Sequence, residues 1–168
     1  MNGIFDKIEN AYYNVKCGIQ NLISWFPIIW ADRNWDHYFI YVTLRHKLHL
    51  TEQLIRNHGH HTKHIQDANT IKVCINLLDR LMKDEYHENA FKRHDEKWGE
   101  PEFRWEDCED KPDLCELHID RDKVESNEDK TKERKEFRIA SNHEATLREQ
   151  DLDMLFKLMR KNIQTWWD

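Results

Sequence analysis

The chain has 168 residues, enough for one domain with a buried core. Its formal net charge of -6 argues against a nucleic-acid binder, which would need a local basic face. Only four glycines and three prolines accompany 35 % charged residues, so long helices are favoured and turn-rich β architecture is disfavoured. We therefore predict one all-α domain over 1–168, a compact bundle of about four to six helices.

The N-terminal part predicts one amphipathic helix. Apolar residues recur at spacings of three and four over 4–23, and we expect the helix to end near Trp25, before Pro27. The apolar stretch LISWFPIIWA is about half of a bilayer span, and MNGIFDKIEN lacks the features of a secretory leader. We expect no membrane segment.

A second helix is predicted from Asp32 or Asn34, as its cap, to His58, with Gly59 as its stop. One stripe of this helix combines aromatic rings with basic side chains: Trp35, Tyr38, Val42, Arg45 and His49. Packing of the stripe on a neighbouring helix is the simpler interpretation. The alternative is a ligand site, in which rings stack on a base and cations meet negative charge.

The rest of the chain predicts a third helix capped by Thr62, a short charged helix over 84–97, and a final helix from about Thr146. Between them, 98–120 is acidic and contains Gly99, Pro101 and Pro112, so we expect irregular structure. The stretch 120–138 is charged nearly all round and predicts a projecting helix. Residues 98–138 could thus form a protruding insertion.

The stretch NHGHHTKHIQD, residues 57–67, concentrates four histidines and an aspartate. In a helix from Thr62, His64 and Asp67 are three apart and could share an ion. Imidazoles at helix ends also serve as caps and surface groups, which is the simpler interpretation.

Two further sets of residues could bind metal. His94 and Asp95, with His60 or His61 and Asp151, are similar to the ligand set of HD-type phosphohydrolases, although AFKRHDEKWGE is charged and predicted to be exposed. Cys108, Cys115 and His118 could hold zinc if His94 or His143 supplied a fourth ligand. Neither set is favoured. We expect no cofactor, and cytoplasmic thiols in the reduced state.

Three segments, WADRNWDHYFIYVTLRHKL, IKVCINLLDRLMKDEY and REQDLDMLFKLMRKNIQTWWD, carry a family resemblance. They include the Trp-Asp-His-Tyr start of the second helix and the terminal Trp-Trp-Asp. On these segments the chain resembles a family of small helical proteins of tailed bacteriophages. The resemblance implies a phage accessory protein in the host bacterial cytoplasm, and it carries over no catalytic residue.

The leading hypothesis is a non-enzymatic, homo-oligomeric binder that sequesters a small anionic, nucleotide-like signal of host antiviral defence. Trp35 and Tyr38 would stack on the ligand, and Arg45 with His49 or Arg138 would meet its charge. Two alternatives stay open. One is a metal-dependent HD-like phosphohydrolase or nuclease, and the other is a protein that inhibits a host factor through protein–protein contact.

Overall fold

Five α-helices and one small antiparallel ribbon make up the part of the chain that the computed structural model describes, residues 2–107 and 114–166, with side chains described from residue 6. In chain order the elements are α1 (Asn2–Ala31), α2 (His37–His58), α3 (His64–Lys83), α4 (Tyr86–Trp98), β1 (Pro101–Asp107), β2 (Cys115–Arg121) and α5 (Asn127–Asn162), followed by a 3-10 turn (Ile163–Thr165). The predicted mainly helical class is confirmed. Within the described ranges, no helix is both long and apolar enough to cross a bilayer.

The chain divides into two compact units, Met1–Met82 with Asn162–Asp168, and Lys83–Lys161. The described part of 98–138, expected as an insertion, therefore belongs to the second unit together with α4 and the C-terminal half of α5.

Helix α1 is longer than predicted, because it continues through Pro27 to Ala31. A proline lacks one N–H and crowds the carbonyl four residues before it, but its φ is helical, so the last turn can still form. The C-terminal part of α1 contacts α2. There Ser24 Oγ lies 3.2 Å from His46 Nε2, and the Trp25 ring meets the His46 ring edge-on at 4.7 Å.

Helices α2 and α3 supply the apolar core of the first unit. The α2 cap is Asp36, whose carboxylate accepts the Tyr38 N–H at 2.9 Å, and the N–H of Gly59 closes the other end on Ile55 O. Nine side chains, from the two helices, are buried: Leu48, Ile55, Ala68, Ile71, Cys74, Ile75, Leu77, Leu78 and Leu81. Burial raises the pKa of the Cys74 thiol to about 11, so this cysteine behaves as a small apolar core residue.

Helices α4 and α5 pack antiparallel in the second unit through polar contacts. The buried Tyr86 hydroxyl donates to Asp151 at 2.6 Å, and at the other end Trp98 Nε1 donates to Glu136 at 2.8 Å. Hydrogen bonds from Lys97 and then from Trp98 hold the pKa of Glu136 below its usual value. The predicted separation of a projecting charged helix from a final helix is wrong, because α5 is continuous across both segments.

The predicted irregular segment contains a two-stranded antiparallel ribbon. Strand β1 pairs with β2 in a register that places Phe103 opposite Ile119 and Trp105 opposite Leu117. These four side chains therefore share one face of the ribbon, while charged residues occupy the other. Gly99 leads into β1 with a φ of 86°, and a Cβ there would collide with the side chain of Asp122, so this turn requires glycine.

Candidate functional site

The predicted aromatic stripe of α2 is only partly a helix face. Trp35 lies in the turn before the Asp36 cap and is 81 % exposed, whereas Tyr38 lies in the first helical turn. The placement of Trp35 on the helix was therefore wrong, because the cap falls after it and not before it. Trp35 instead borders a groove of about 690 Å³ in the first unit, beside Trp25 and Phe39.

The polar members of the stripe already have partners inside the chain. Arg45 Nε donates to Asp79 on α3 at 2.5 Å, and the His49 ring lies 3.1 Å from Gln53 Nε2. The charge of Arg45 is thus matched by a carboxylate, which leaves it less available for an anionic ligand than the sequence suggested. Neither residue lines the groove beside Trp35.

Arg138, the fifth predicted ligand residue, lies on α5 in the second unit and lines a different groove, of about 890 Å³. One wall of this groove is strand β2 with the turn after it. The other wall is a single face of α5, with residues at helical spacings of three and four: Lys130, Glu133, Arg134, Phe137, Arg138 and Ser141. A volume in this range is typical of small-molecule sites, which span roughly 300–1,000 Å³.

Three cations form a ridge along this wall, which we call the basic ridge: Lys130, Arg134 and Arg138. Their spacing of four residues stacks them on one side of α5, in successive turns. All three are exposed, and no hydrogen bond or ion pair joins their side chains to another residue that the structure describes. Three adjacent positive charges without internal partners form a site of local positive potential in an acidic chain.

The acids that line the same groove are matched by basic groups outside the basic ridge. Glu133 lies 3.1 Å from Arg121 Nε, Asp120 lies 3.2 Å from Arg104 Nη2, and Glu116 lies 4.0 Å from His118 Nε2. Arg121 is shared with Asp95, and Arg104 is shared with Glu106, so each arginine offsets only part of the charge of Glu133 or Asp120. These carboxylates therefore reduce the positive potential of the basic ridge in part, while its three cations have no pairing partner among the described residues.

The floor of the groove rests on a buried polar cluster between α4, β2 and α5. Arg121, 9 % exposed, joins two acids there: Nη1 donates to Asp95 at 2.7 Å, and Nε lies 3.1 Å from Glu133. His94 lies 3.5 Å from each of the same carboxylates. The sequence predicted an exposed His94, but it is 5 % exposed, because the apolar Phe91 and Phe137 enclose it while the charged neighbours face outward.

The candidate metal ligands do not converge. Among the described residues no three His, Cys, Asp or Glu side chains are placed to hold an ion together. Asp151 accepts the Tyr86 hydroxyl, while His60 and His61 belong to the first unit and Asp151 to the second. Exposed Cys115 donates to Asp107, and Cys108 lies outside the described residues.

The histidine-rich turn of 57–67 is a structural joint between α2 and α3. Asp67 is buried and pairs with His61 at 3.1 Å, not with His64 as the helical spacing suggested. His64 is held by its own contact of 2.8 Å to the carbonyl of His61. The helix begins at His64 and not just after Thr62, and the His64 ring turns back to the His61 carbonyl instead of towards Asp67. The side chains of His61, His64 and Asp67 are therefore all paired within this turn.

No family model, no curated protein and no solved structure matches the chain. Function is therefore inferred from the residues themselves. Of these, Arg138 was predicted from sequence, while Lys130 and Arg134 were not. The signal that could have found them is the recurrence of a basic residue at every fourth position over 130–138.

Proposed function

We propose that the protein binds a small ligand that carries two or more negative charges, in the groove between β2 and α5. The single observation that carries this proposal is the basic ridge of Lys130, Arg134 and Arg138, whose charges are unmatched by the residues described. Guanidinium groups bind phosphate and carboxylate oxygens with paired, charge-assisted hydrogen bonds. Binding of such an anion in the groove requires no catalytic group.

Apolar side chains beside the basic ridge support a nucleotide-like ligand. Phe137 is 38 % exposed and lies on the same wall as the arginines, and Ile119 and Val124 line the groove opposite. An aromatic ring next to cations can stack on a base while the cations hold its phosphates. An inorganic anion would use only the charged half of such a site.

Sequestration is the biological role that we attach to this binding. The resemblance to small phage proteins supports it, as does the lack of converging metal ligands among the described residues. In this role the protein would remove a nucleotide-like signal of host antiviral defence from solution without changing it chemically. The proposal moves the site from the α2 stripe to α5 and keeps Arg138 as the shared residue.

The test is a calorimetric titration of the full chain with adenosine triphosphate and, separately, with pyrophosphate. The variant Arg134→Gln/Arg138→Gln should bind adenosine triphosphate at least tenfold more weakly, since each charged hydrogen bond contributes roughly 1.5–3 kcal/mol. The control Lys132→Gln/Lys135→Gln removes the same charge from α5 at exposed positions outside the groove and should bind normally. Added salt should weaken binding by the wild type.

Three outcomes would contradict the proposal. Equal weakening by both double variants would mean that only the overall charge of α5 matters. Equal affinity for both probes would remove the nucleotide-like part of the proposal and leave an anion site. Metal-dependent hydrolysis of adenosine triphosphate that is lost in His94→Ala would replace the binder with the HD-like hydrolase.

A further inference from the structure

Helix α1 carries a heptad pattern that the contacts within the chain do not use. Apolar residues alternate at spacings of four and three over three heptads: Ile8, Tyr12, Val15, Ile19, Leu22, Phe26 and Ile29. This is the a and d pattern by which helices pair in coiled coils. We call these seven residues the α1 seam. It runs about 32 Å along the helix, at 1.5 Å per residue.

The α1 seam is solvent-exposed in the single chain. Each of its seven residues is between 52 % and 70 % exposed. The contacts of α1 with α2 use Ser24 and Trp25, and Ser24 lies on the helix side opposite the seam. The helix is thus attached to its own unit by its back, and its apolar seam faces away from α2.

The exposed area is too large for a typical isolated monomer surface. Each seam side chain leaves on the order of 100 Å² uncovered, given the size of apolar and aromatic side chains. The total approaches the roughly 800 Å² per partner of a standard stable interface, and exceeds the few hundred Å² that a monomer normally shows as one patch. A partner helix of similar length would cover it.

Charge favours a second copy of the same helix as that partner. Among its described side chains, α1 carries two acidic residues, Asp6 and Glu9, and two basic residues, Lys7 and Lys16, so their sum is zero. No charged residue occurs from Cys17 to Ala31, so two copies of this part bring no like charges together. Helices that lie on lipid surfaces instead carry Lys and Arg along the polar face, which this segment lacks.

We infer that the α1 seam is a self-association interface through which two or more copies of the chain pair by coiled-coil packing. This inference goes beyond the ligand groove, because α1 and the groove belong to different units and their failures have separate readouts. Pairing would bury seven apolar side chains per copy at no cost in buried charge. Pairing would also explain why the seven apolar side chains of the α1 seam are exposed in the single chain.

The test is the mass of the full chain in solution, measured by light scattering behind size-exclusion chromatography. We expect the wild type to be a dimer or larger at micromolar concentration, and Leu22→Glu to be monomeric. The control Gln20→Glu adds the same charge two residues away, on an exposed side of α1 outside the seam, and should keep the wild-type mass. Val15→Glu repeats the test one heptad earlier.

Folding of each variant is checked by helical circular dichroism. Leu22 is exposed in the single chain, so its replacement should leave the helical signal nearly intact. A monomeric wild type would overturn the inference, as would equal masses for Leu22→Glu and Gln20→Glu. A monomer that floats with neutral phosphatidylcholine vesicles, and loses this binding in Leu22→Glu, would assign the seam to a lipid surface instead.

Discussion

Arg121 connects three parts of the second unit. It is buried, and it contacts Asp95, Glu133 and the carbonyl of Gly99, so one guanidinium serves α4, α5 and the turn between α4 and β1. A buried cation costs desolvation energy, which is offset here by two carboxylates and a carbonyl. Removing it leaves the carboxylates of Asp95 and Glu133 close together without their shared counterion.

We predict that Arg121→Met lowers the free energy of unfolding by about 3 kcal/mol, as expected for a broken buried ion pair whose acids are partly accessible to water. The measurement is urea denaturation followed by circular dichroism. Arg104→Met is the matched control, because Arg104 pairs with Asp120 at 3.2 Å on the exposed ribbon and should change stability by less than about 1 kcal/mol. Equal losses in the two variants would show that the buried cluster has no special role.

At the scale of elements, the helices with clear apolar periodicity were predictable and the elements held by polar contacts were not. The buried face of α3 and the Gly59 end of α2 are local signals and were predicted correctly, whereas the start of α2 was placed at Asp32 or Asn34 and its cap is Asp36. Strand β1 has only two large apolar residues after Pro101, and its pairing with β2 is not local, so the ribbon was missed. The central part of α5 lacks an apolar stripe, so the sequence pattern did not predict that α5 is one continuous helix.

Contacts between residues far apart in the sequence also explain why most of the candidate site was not predicted. Helix α5 binds α4 through acids such as Glu133 and Glu136, whose partners lie about forty residues earlier. A charge run of this kind is typical of a solvated face, so the sequence pattern does not single out Lys130 and Arg134. Sequence alone does not show that the acids of the run turn towards α4 while its cations line a groove.

The contact between α1 and α2 gives a pH-dependent prediction. Burial first, and then the nearby His49 and Arg45, lower the pKa of His46 below 6.5. Well above pH 6.5 the imidazole is neutral in both the folded and the unfolded state, and it does not make stability depend on pH. As the pH falls below 6.5, the unfolded state takes up the proton first, so stability is lost until the folded-state pKa is passed.

The measurement compares the free energy of unfolding at pH 7.5 and pH 5.5, at one protein concentration. We expect the wild type to lose more stability on acidification than His46→Gln, which has no titrating group at this position. All other titratable groups are the same in the two proteins, so their contributions cancel in the comparison. Parallel pH profiles for the two proteins would mean that His46 does not couple the α1–α2 contact to pH.

At the scale of the whole molecule, the chain combines two surfaces with different chemistry. One is the apolar α1 seam in the first unit, and the other is the basic ridge with its groove in the second. In the function that we propose, the basic ridge would hold a small anion although the chain as a whole has a net charge of -6. Stoichiometric binding of such an anion is the role that we propose for the groove.

The most direct test of the groove is native mass spectrometry of the wild-type chain, sprayed as purified and again after addition of adenosine triphosphate. We expect a non-covalent adduct of a small organic anion that is lost in Arg134→Gln/Arg138→Gln and kept in Lys132→Gln/Lys135→Gln. The absence of any adduct in the wild type, or the same adduct in both double variants, would contradict the assignment of an anion site to α5.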